Sequence, residues 1–439
     1  MVEEFAKGSA VDLPNSIDAF PAEMAPGILR DSFPHGWRSA HRQIGFSHPP
    51  DDELNLLLEV CAGGRRIGPR QRPCSSEGKT NSTGVTEKKR IWTLVKEMPF
   101  NVLFPTMKLR LASLVLLAGI SGANVLYAQD TPKDSLLVLS KAEQTLAIVD
   151  PSSLQAIARI PVGNDPHEVI ASTDGKTAYA SNYGGGAYNT LAVVDLVSRK
   201  ALPPIDLGPL RGPHGLMFVG GKTWFTAEAA KAIGSYDPAT QKIDWILGTG
   251  QNRTHMIYVW PDLKRIVTTN VSSGTVSIIE KTVGGGAPGG NWDETVVRVG
   301  QGSEGFDVSP DGKEIWVANA GDGTVSIIEV SSKTVTQTLA ADVGGANRLK
   351  FTPDGKLVLI SSLRGPDVTI IDTGTHKTIK RVPVGHGAAG ILMQPDGSRA
   401  FVACTPDSYV AVIDLHSLEV VGHIDAGKNP DGLAWATRR

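Results

Sequence analysis

The chain has 439 residues, with 43 Lys and Arg set against 45 Asp and Glu for a formal net charge of −2. Acids and bases are interspersed along it, which excludes a protein built mainly on electrostatic attraction to nucleic acid. It carries no Walker loop, zinc-finger spacing, HExxH pair or nucleophile elbow, so the commonest motif-borne chemistries are excluded too.

Residues 1–106 mix Pro, Gly, Arg and Ser with isolated apolar residues and sustain no period of 2 or 3.6. Asp51 to Val60 could form a helix of about two turns, too little for a core. Met107-Lys108-Leu109-Arg110 then opens a basic segment, followed by the apolar run Leu111 to Ile120 and a small-residue tail to Ala128. This is the pattern of a secretory signal peptide, and the run is too short to span a membrane, which needs about 20 apolar residues. Such a signal acts at an N-terminus, so Met107 is read as the functional start and 1–106 as translated upstream sequence. The alternatives are a cytoplasmic tail ahead of a signal anchor, or an N-terminal domain. The chain from 129 to 439 is expected to be periplasmic or secreted, without a transmembrane span. Cys404 is its only cysteine, so no disulfide within it is possible.

From 135 onward one unit recurs. Its clearest copy is Glu304 to Glu329, which reads as strands over Gly305 to Ser309, Glu314 to Ala318 and Thr324 to Glu329, separated by Pro310-Asp311-Gly312 and Ala320-Gly321-Asp322-Gly323. A fourth strand follows over Thr334 to Leu339. The first turn returns at Asp174-Gly175, Asp262-Leu263, Asp354-Gly355 and Asp396-Gly397. Asp311 and Asp354 stand 43 positions apart, and Asp354 and Asp396 stand 42 apart. The Gly-rich insert Gly284 to Gly290 stretches one interval. Four strands every 40–45 residues is the signature of a β-propeller.

Full units begin near His167, His214, His255, Glu304, Asn347 and His386. Asp431 to Ala436 is left over as a first strand, and Ser135 to Val162 as three strands lacking a first. Joined, they make a seventh blade and remove two sheet edges that would otherwise be exposed. The fold class is therefore all-β, a seven-bladed propeller of four-stranded antiparallel blades.

Trp316-Val317-Ala318-Asn319, Tyr179-Ala180-Ser181-Asn182 and Val267-Thr268-Thr269-Asn270, with the turn Ser309 to Gly312, resemble the repeat of the YVTN family of seven-bladed propellers. The resemblance covers about 135–437 and implies the fold. For function it implies only a range: surface-layer and cell-envelope proteins, lactonase-like hydrolases, and domains related to those of nitrite and nitrous oxide reductases. Virginiamycin B lyase, a metal-dependent propeller enzyme, is a more distant analogue.

In a propeller, the loops handing the fourth strand of one blade to the first of the next converge on one mouth of the central channel. Reading that position gives Pro166-His167-Glu168, Pro213-His214-Gly215, Thr254-His255-Met256, Ser303-Glu304-Gly305, Ala346-Asn347-Arg348, Gly387-Ala388-Ala389 and Pro430-Asp431-Gly432. His167, His214 and His255 share one position, and Glu304 takes it in the following blade. Imidazoles with a carboxylate suit a divalent Zn, Cu, Mn or Fe ion. The competing readings are a metal-free polar ligand site, and mouth histidines with no specific role. Arg211, Arg253 and Arg348 lie beside this column, and the loop Tyr183 to Tyr188 is expected to overhang it. Arginines there suit a carboxylate or sugar-acid ligand, or simply pair with acids such as Glu228 or Asp165.

Two function classes follow. One is a divalent-metal-dependent hydrolase or lyase, with His167, His214, His255 and Glu304 around the ion, Glu304 also catalytic, and Arg211, Arg253 or Arg348 orienting a small anionic or carbohydrate-like substrate. The other is a non-catalytic cell-envelope module presenting the same face to a protein or glycan. Either is expected to be a monomer that binds no nucleic acid.

Overall fold

The computed structural model describes residues 131–282 and 291–439. The readings of 1–106, of the signal peptide at 107–128 and of the Gly284 to Gly290 insert lie outside the described residues.

Local chemistry sets the repeat. In the first turn, Asp311 Oδ1 accepts the Ser309 hydroxyl at 2.7 Å and the Lys313 N–H at 3.1 Å. Gly312 then reverses the chain at φ 74°, a left-handed conformation that glycine adopts without steric penalty. The same bonds recur at Asp354, with Thr352 and Lys356, and they hold both carboxyls below the usual carboxylate range. At the end of the second strand, Asn319 donates to Thr324 Oγ1 at 2.9 Å and Ser326 Oγ at 3.0 Å, and Asn270 does the same with Thr275 and Ser277. The asparagine of the repeat tetrapeptide thus ties second strand to third.

These units build seven four-stranded antiparallel sheets. Numbered by their innermost strands, the blades are 1 (Pro166–Ala171), 2 (Pro213–Val219), 3 (Thr254–Val259), 4 (Ser303–Val308), 5 (Ala346–Phe351), 6 (Ala388–Met393) and 7 (Pro430–Thr437). Each inner strand touches the next in that order, and blade 7 touches blade 1, so the ring is closed. Blade 7 joins Pro430–Thr437 to Asp134–Ser140, Thr145–Asp150 and Gln155–Pro161 from the other end of the sequence. Leu136 faces Trp435, Leu137 faces Ala434 and Val138 faces Leu433 across that closure.

Second and third strands are buried on both faces, as Glu314–Asn319 and Thr324–Glu329 show, while the fourth alternates and faces solvent. Between blades, side chains such as Trp316, Ile327, Leu349 and Ile360 interlock into apolar layers. Burial of this kind, at about 25 cal/mol per Å² of apolar surface, holds the ring without disulfides.

Every inner strand is bulged near its start. In blade 1, Pro166 faces Asn182 and Val169 faces Ala180, so His167 and Glu168 together oppose Ser181. Blades 2 to 6 shift register at the same place, and blade 7 does so between Leu433 and Pro430. A bulge re-aims the side chains it carries, and here it turns the handover residue toward the channel mouth. The register corrects one expected position. Ala388 pairs with Cys404, so the residue equivalent to His167 in blade 6 is Ala389, one place later than the turn alone suggests.

The residue before each inner strand has positive φ in all seven blades: Asp165, Gly212, Arg253, Gly302, Gly345, Gly387 and Asn429. Four are glycine, and Asp and Asn tolerate the left-handed region. Arg253, at φ 53°, is the exception. Among the described residues no helix is long and apolar enough to cross a membrane.

Candidate metal centre

The bulges of blades 1 to 3 bring three imidazoles together. The rings of His214 and His255 are 3.9 Å apart between centroids, and those of His167 and His214 are 5.2 Å apart. Glu228, the first residue after the second strand of blade 2, reaches the same point, and its Oε1 bonds His255 Nδ1. His214, Glu228 and His255 each offer a ligand atom within 4.8 Å of the others, and all three are buried. This buried group could hold a metal ion.

Glu304 adjoins it from blade 4, with Oε1 2.9 Å from His255 Nε2. Both ring nitrogens of His255 therefore face a carboxylate, Glu228 at Nδ1 and Glu304 at Nε2. His167 adjoins from the other side. Its Nε2 lies 3.0 Å from Lys141 Nζ and its Nδ1 3.2 Å from the Asp165 carbonyl, so both ring nitrogens already have partners.

The loop after the second strand of blade 1 does overhang the site. The Tyr183 hydroxyl donates to Glu228 Oε2 at 2.5 Å, and its ring packs edge-on against His167 and His214. Arg253 stands at the rim with its side chain 45% exposed, 3.6 Å from Glu228 Oε2 and 3.8 Å from Glu304 Oε1. Arg211 is exposed and forms no ion pair among the described residues. Arg348 is buried, and its guanidinium is engaged by Glu168 and by Asn347.

Electrostatics separates the two central imidazoles. Burial, and then the nearby His255 and His167, push His214 well below the ordinary histidine range and keep it neutral. Burial also opposes charge on His255, but the Glu304 and Glu228 carboxylates outweigh it and raise its pKa to about 9. Burial likewise opposes charge on Glu304, yet His255, Arg253 and Arg348 hold its pKa at about 2. His214 differs from all of its neighbours in one respect. Its side chain makes no hydrogen bond among the described residues, and Nδ1 is fully buried.

Sequence reasoning located the His column and Glu304 but passed over Glu228 as a ligand. The signal lay one column away. Lys141, Tyr183 and Glu228 each follow the residue paired with the first residue of an inner strand (Ser140, Asn182 and Ala227), so they occupy one position in three successive blades. Their chemical types differ, so no repeated letter marks the position.

The fold and the buried group define a seven-bladed β-propeller carrying a candidate metal centre. A family model described as a YNCE-like beta-propeller matches residues 235–399. No curated protein matches the chain. Among solved structures it is similar to a functionally unknown protein from Desulfotomaculum acetoxidans, at 14% identity and a TM-score of 0.58, over 70% of this chain and 99% of that one. It is also similar to a putative 6-phosphogluconolactonase from Bacteroides uniformis, at 15% identity and a TM-score of 0.58, over 70% of this chain and 100% of that one. Hydrazine synthase from Kuenenia stuttgartiensis matches at 17% identity and a TM-score of 0.51, over 61% of this chain and 89% of that one. At such identities the likeness shows the fold alone.

Proposed function

We propose that this propeller is an exported, divalent-metal-dependent hydrolase or lyase acting on a small anionic or sugar-derived molecule at the channel mouth. The observation that carries the reading is His214, a buried imidazole with no hydrogen bond beside His255 and Glu228. Leaving a buried polar group unpaired costs about 1–3 kcal/mol, and a cation is the partner its lone pair suits. Two imidazoles and a carboxylate form a donor set for a first-row divalent ion. His214, His255 and Glu228 would hold it, with Glu304 and His167 flanking. Such an ion supplies Lewis acidity toward a carbonyl or carboxylate oxygen. Arg253 at the rim supports an anionic substrate, because its guanidinium is half-exposed and only loosely paired. The likeness to a putative lactonase supports the hydrolase side of the reading by analogy of fold.

A second reading, ligand capture without turnover, is favoured by the depth of the group: His214, Glu228 and His255 are only 4%, 4% and 2% exposed. The deciding experiment is metal analysis of the purified full-length chain after dialysis against zinc, manganese or iron. About one equivalent bound by the wild type, and none by His214→Ala with an unchanged circular dichroism spectrum, is the expected result. A wild type that retains no metal sinks the enzyme reading. Metal retained without turnover of lactones or sugar acids leaves ligand capture.

A further inference from the structure

We infer that Thr226 and Thr269 are positioning residues, whose hydroxyls form a relay that sets the spacing of the His214, His255 and flanking Glu304 bulges across three blades. The inference rests on the metal reading above and names the residues that tune it.

The inner-strand bulge breaks the sheet ladder where the site residues sit. An unpaired backbone N–H and C=O result in each blade, and buried groups of this kind need partners. In blade 2 the residue opposite the bulge is Thr226. Its Oγ1 accepts the Gly215 N–H at 2.9 Å and donates to the His255 carbonyl of the next blade at 2.7 Å. In blade 3 the equivalent residue is Thr269, whose Oγ1 accepts the Met256 N–H at 3.4 Å and donates to the Glu304 carbonyl at 2.9 Å. The links therefore run from the residue after His214, through His255, to Glu304. Each hydroxyl clamps the backbone of a site residue directly, and both are buried.

Gly215 tightens the same junction. A Cβ there would lie 2.5 Å from the His255 carbonyl oxygen, so the two bulges touch backbone to backbone. With no side chain between them, the hydroxyl sets how far apart the His214 and His255 bulges sit. Outer partners that orient metal ligands commonly change affinity by about 10–100-fold when removed.

Simple adhesion between blades is the rival role for these hydroxyls. Ser361 makes the same link between blades 5 and 6, accepting the Arg348 N–H at 3.0 Å and donating to the Ala389 carbonyl at 2.6 Å. No residue of the His214–Glu228–His255 group lies at that junction. If these hydroxyls only glue blades together, all three should behave alike.

The test is calorimetric titration of Zn²⁺ alone into the full-length chain, with thermal melts alongside. Thr226→Val and Thr269→Val are expected to weaken zinc binding about tenfold or more. Thr226→Ser, which restores the hydroxyl, should stay within about threefold of wild type. Ser361→Ala should lower the melting temperature about as much as the valine variants, yet leave zinc affinity within about threefold. Wild-type affinity in Thr226→Val overturns the inference, as does an equal loss in Ser361→Ala. If Thr226→Val does not fold, Thr269→Val carries the same comparison. A wild type that binds no zinc removes the metal reading itself, and the relay role with it.

Discussion

Arg348 and Glu168 meet across the central channel. Both are the second residue of an inner-strand bulge, in blades 5 and 1, which are not neighbours in the ring, so their ion pair spans the channel. Blades 2, 4, 6 and 7 carry Gly215, Gly305, Gly390 and Gly432 at this position, each so close to the next strand that a Cβ would lie 2.2–2.6 Å from its backbone. Only blades 1, 3 and 5 carry a side chain there, at Glu168, Met256 and Arg348. Breaking a buried pair by removing one partner typically costs about 3–5 kcal/mol. Arg348→Met should show this loss in urea melts. Glu168→Gln should be milder, because Asp431 and Glu304 also stabilise the Arg348 charge. The double variant should lose less than the sum of the two.

Arg253 should show an inverted glycine preference. A left-handed backbone costs an L-residue about 1–2 kcal/mol, which glycine avoids. Four blades already use glycine at this position. Arg253→Gly is therefore expected to be about 1 kcal/mol more stable than Arg253→Ala in equilibrium unfolding. If the reading of Arg253 as the anion-orienting residue is right, both variants should lose affinity for an anionic ligand equally.

Cys404 should be inert in the folded protein. Burial, then the Asp407 charge, push its thiol up to about 12, and its Sγ lies 3.4 Å from the Val384 carbonyl. Brief iodoacetamide treatment at pH 8 followed by peptide mapping should leave Cys404 unlabelled, with full labelling in 6 M guanidinium. Rapid labelling of the native chain would mean that blade 6 opens locally.

Removing residues 430–439 should expose a long edge on Asp134–Ser140, whose residues from Ser135 onward are buried against the closing strand. Open apolar edges template aggregation. The truncated chain is expected to be insoluble or to melt far below the intact one, as judged by size-exclusion chromatography and calorimetry. Native melting behaviour would contradict the closure.

Much of this fold could be read from the sequence because its turns are chemically specific. Asp311-Gly312 and Asp354-Gly355 recur because an aspartate bonding its own turn and a left-handed glycine are both required there. The closure followed from two leftover pieces that complete each other. The His column was visible because one residue type repeats at one place. The Tyr183 to Tyr188 loop is expected over the mouth, but Glu228 is expected only as a partner for an arginine. Lys141, Tyr183 and Glu228 share a position without sharing a residue type, so only the ring's geometry makes Glu228 a neighbour of His255. The cross-channel partner of Arg348 was hidden for a similar reason: Glu168 lies 180 positions away, in a blade that no local pattern connects to it.

The split blade also imposes an order on biosynthesis. The strand that completes this sheet, Pro430–Thr437, is made after every other described strand. Until it arrives, Leu136, Leu137 and Val138 have no neighbour on one side, while nearly 300 residues are made between them and their partners. Contacts that distant in sequence form slowly, and unpaired apolar edges in the meantime are sites of misassembly. The nascent chain is therefore open to misassembly until Pro430–Thr437 has been made, and a chain stalled before that strand is an open ring with the edge of Asp134–Ser140 exposed.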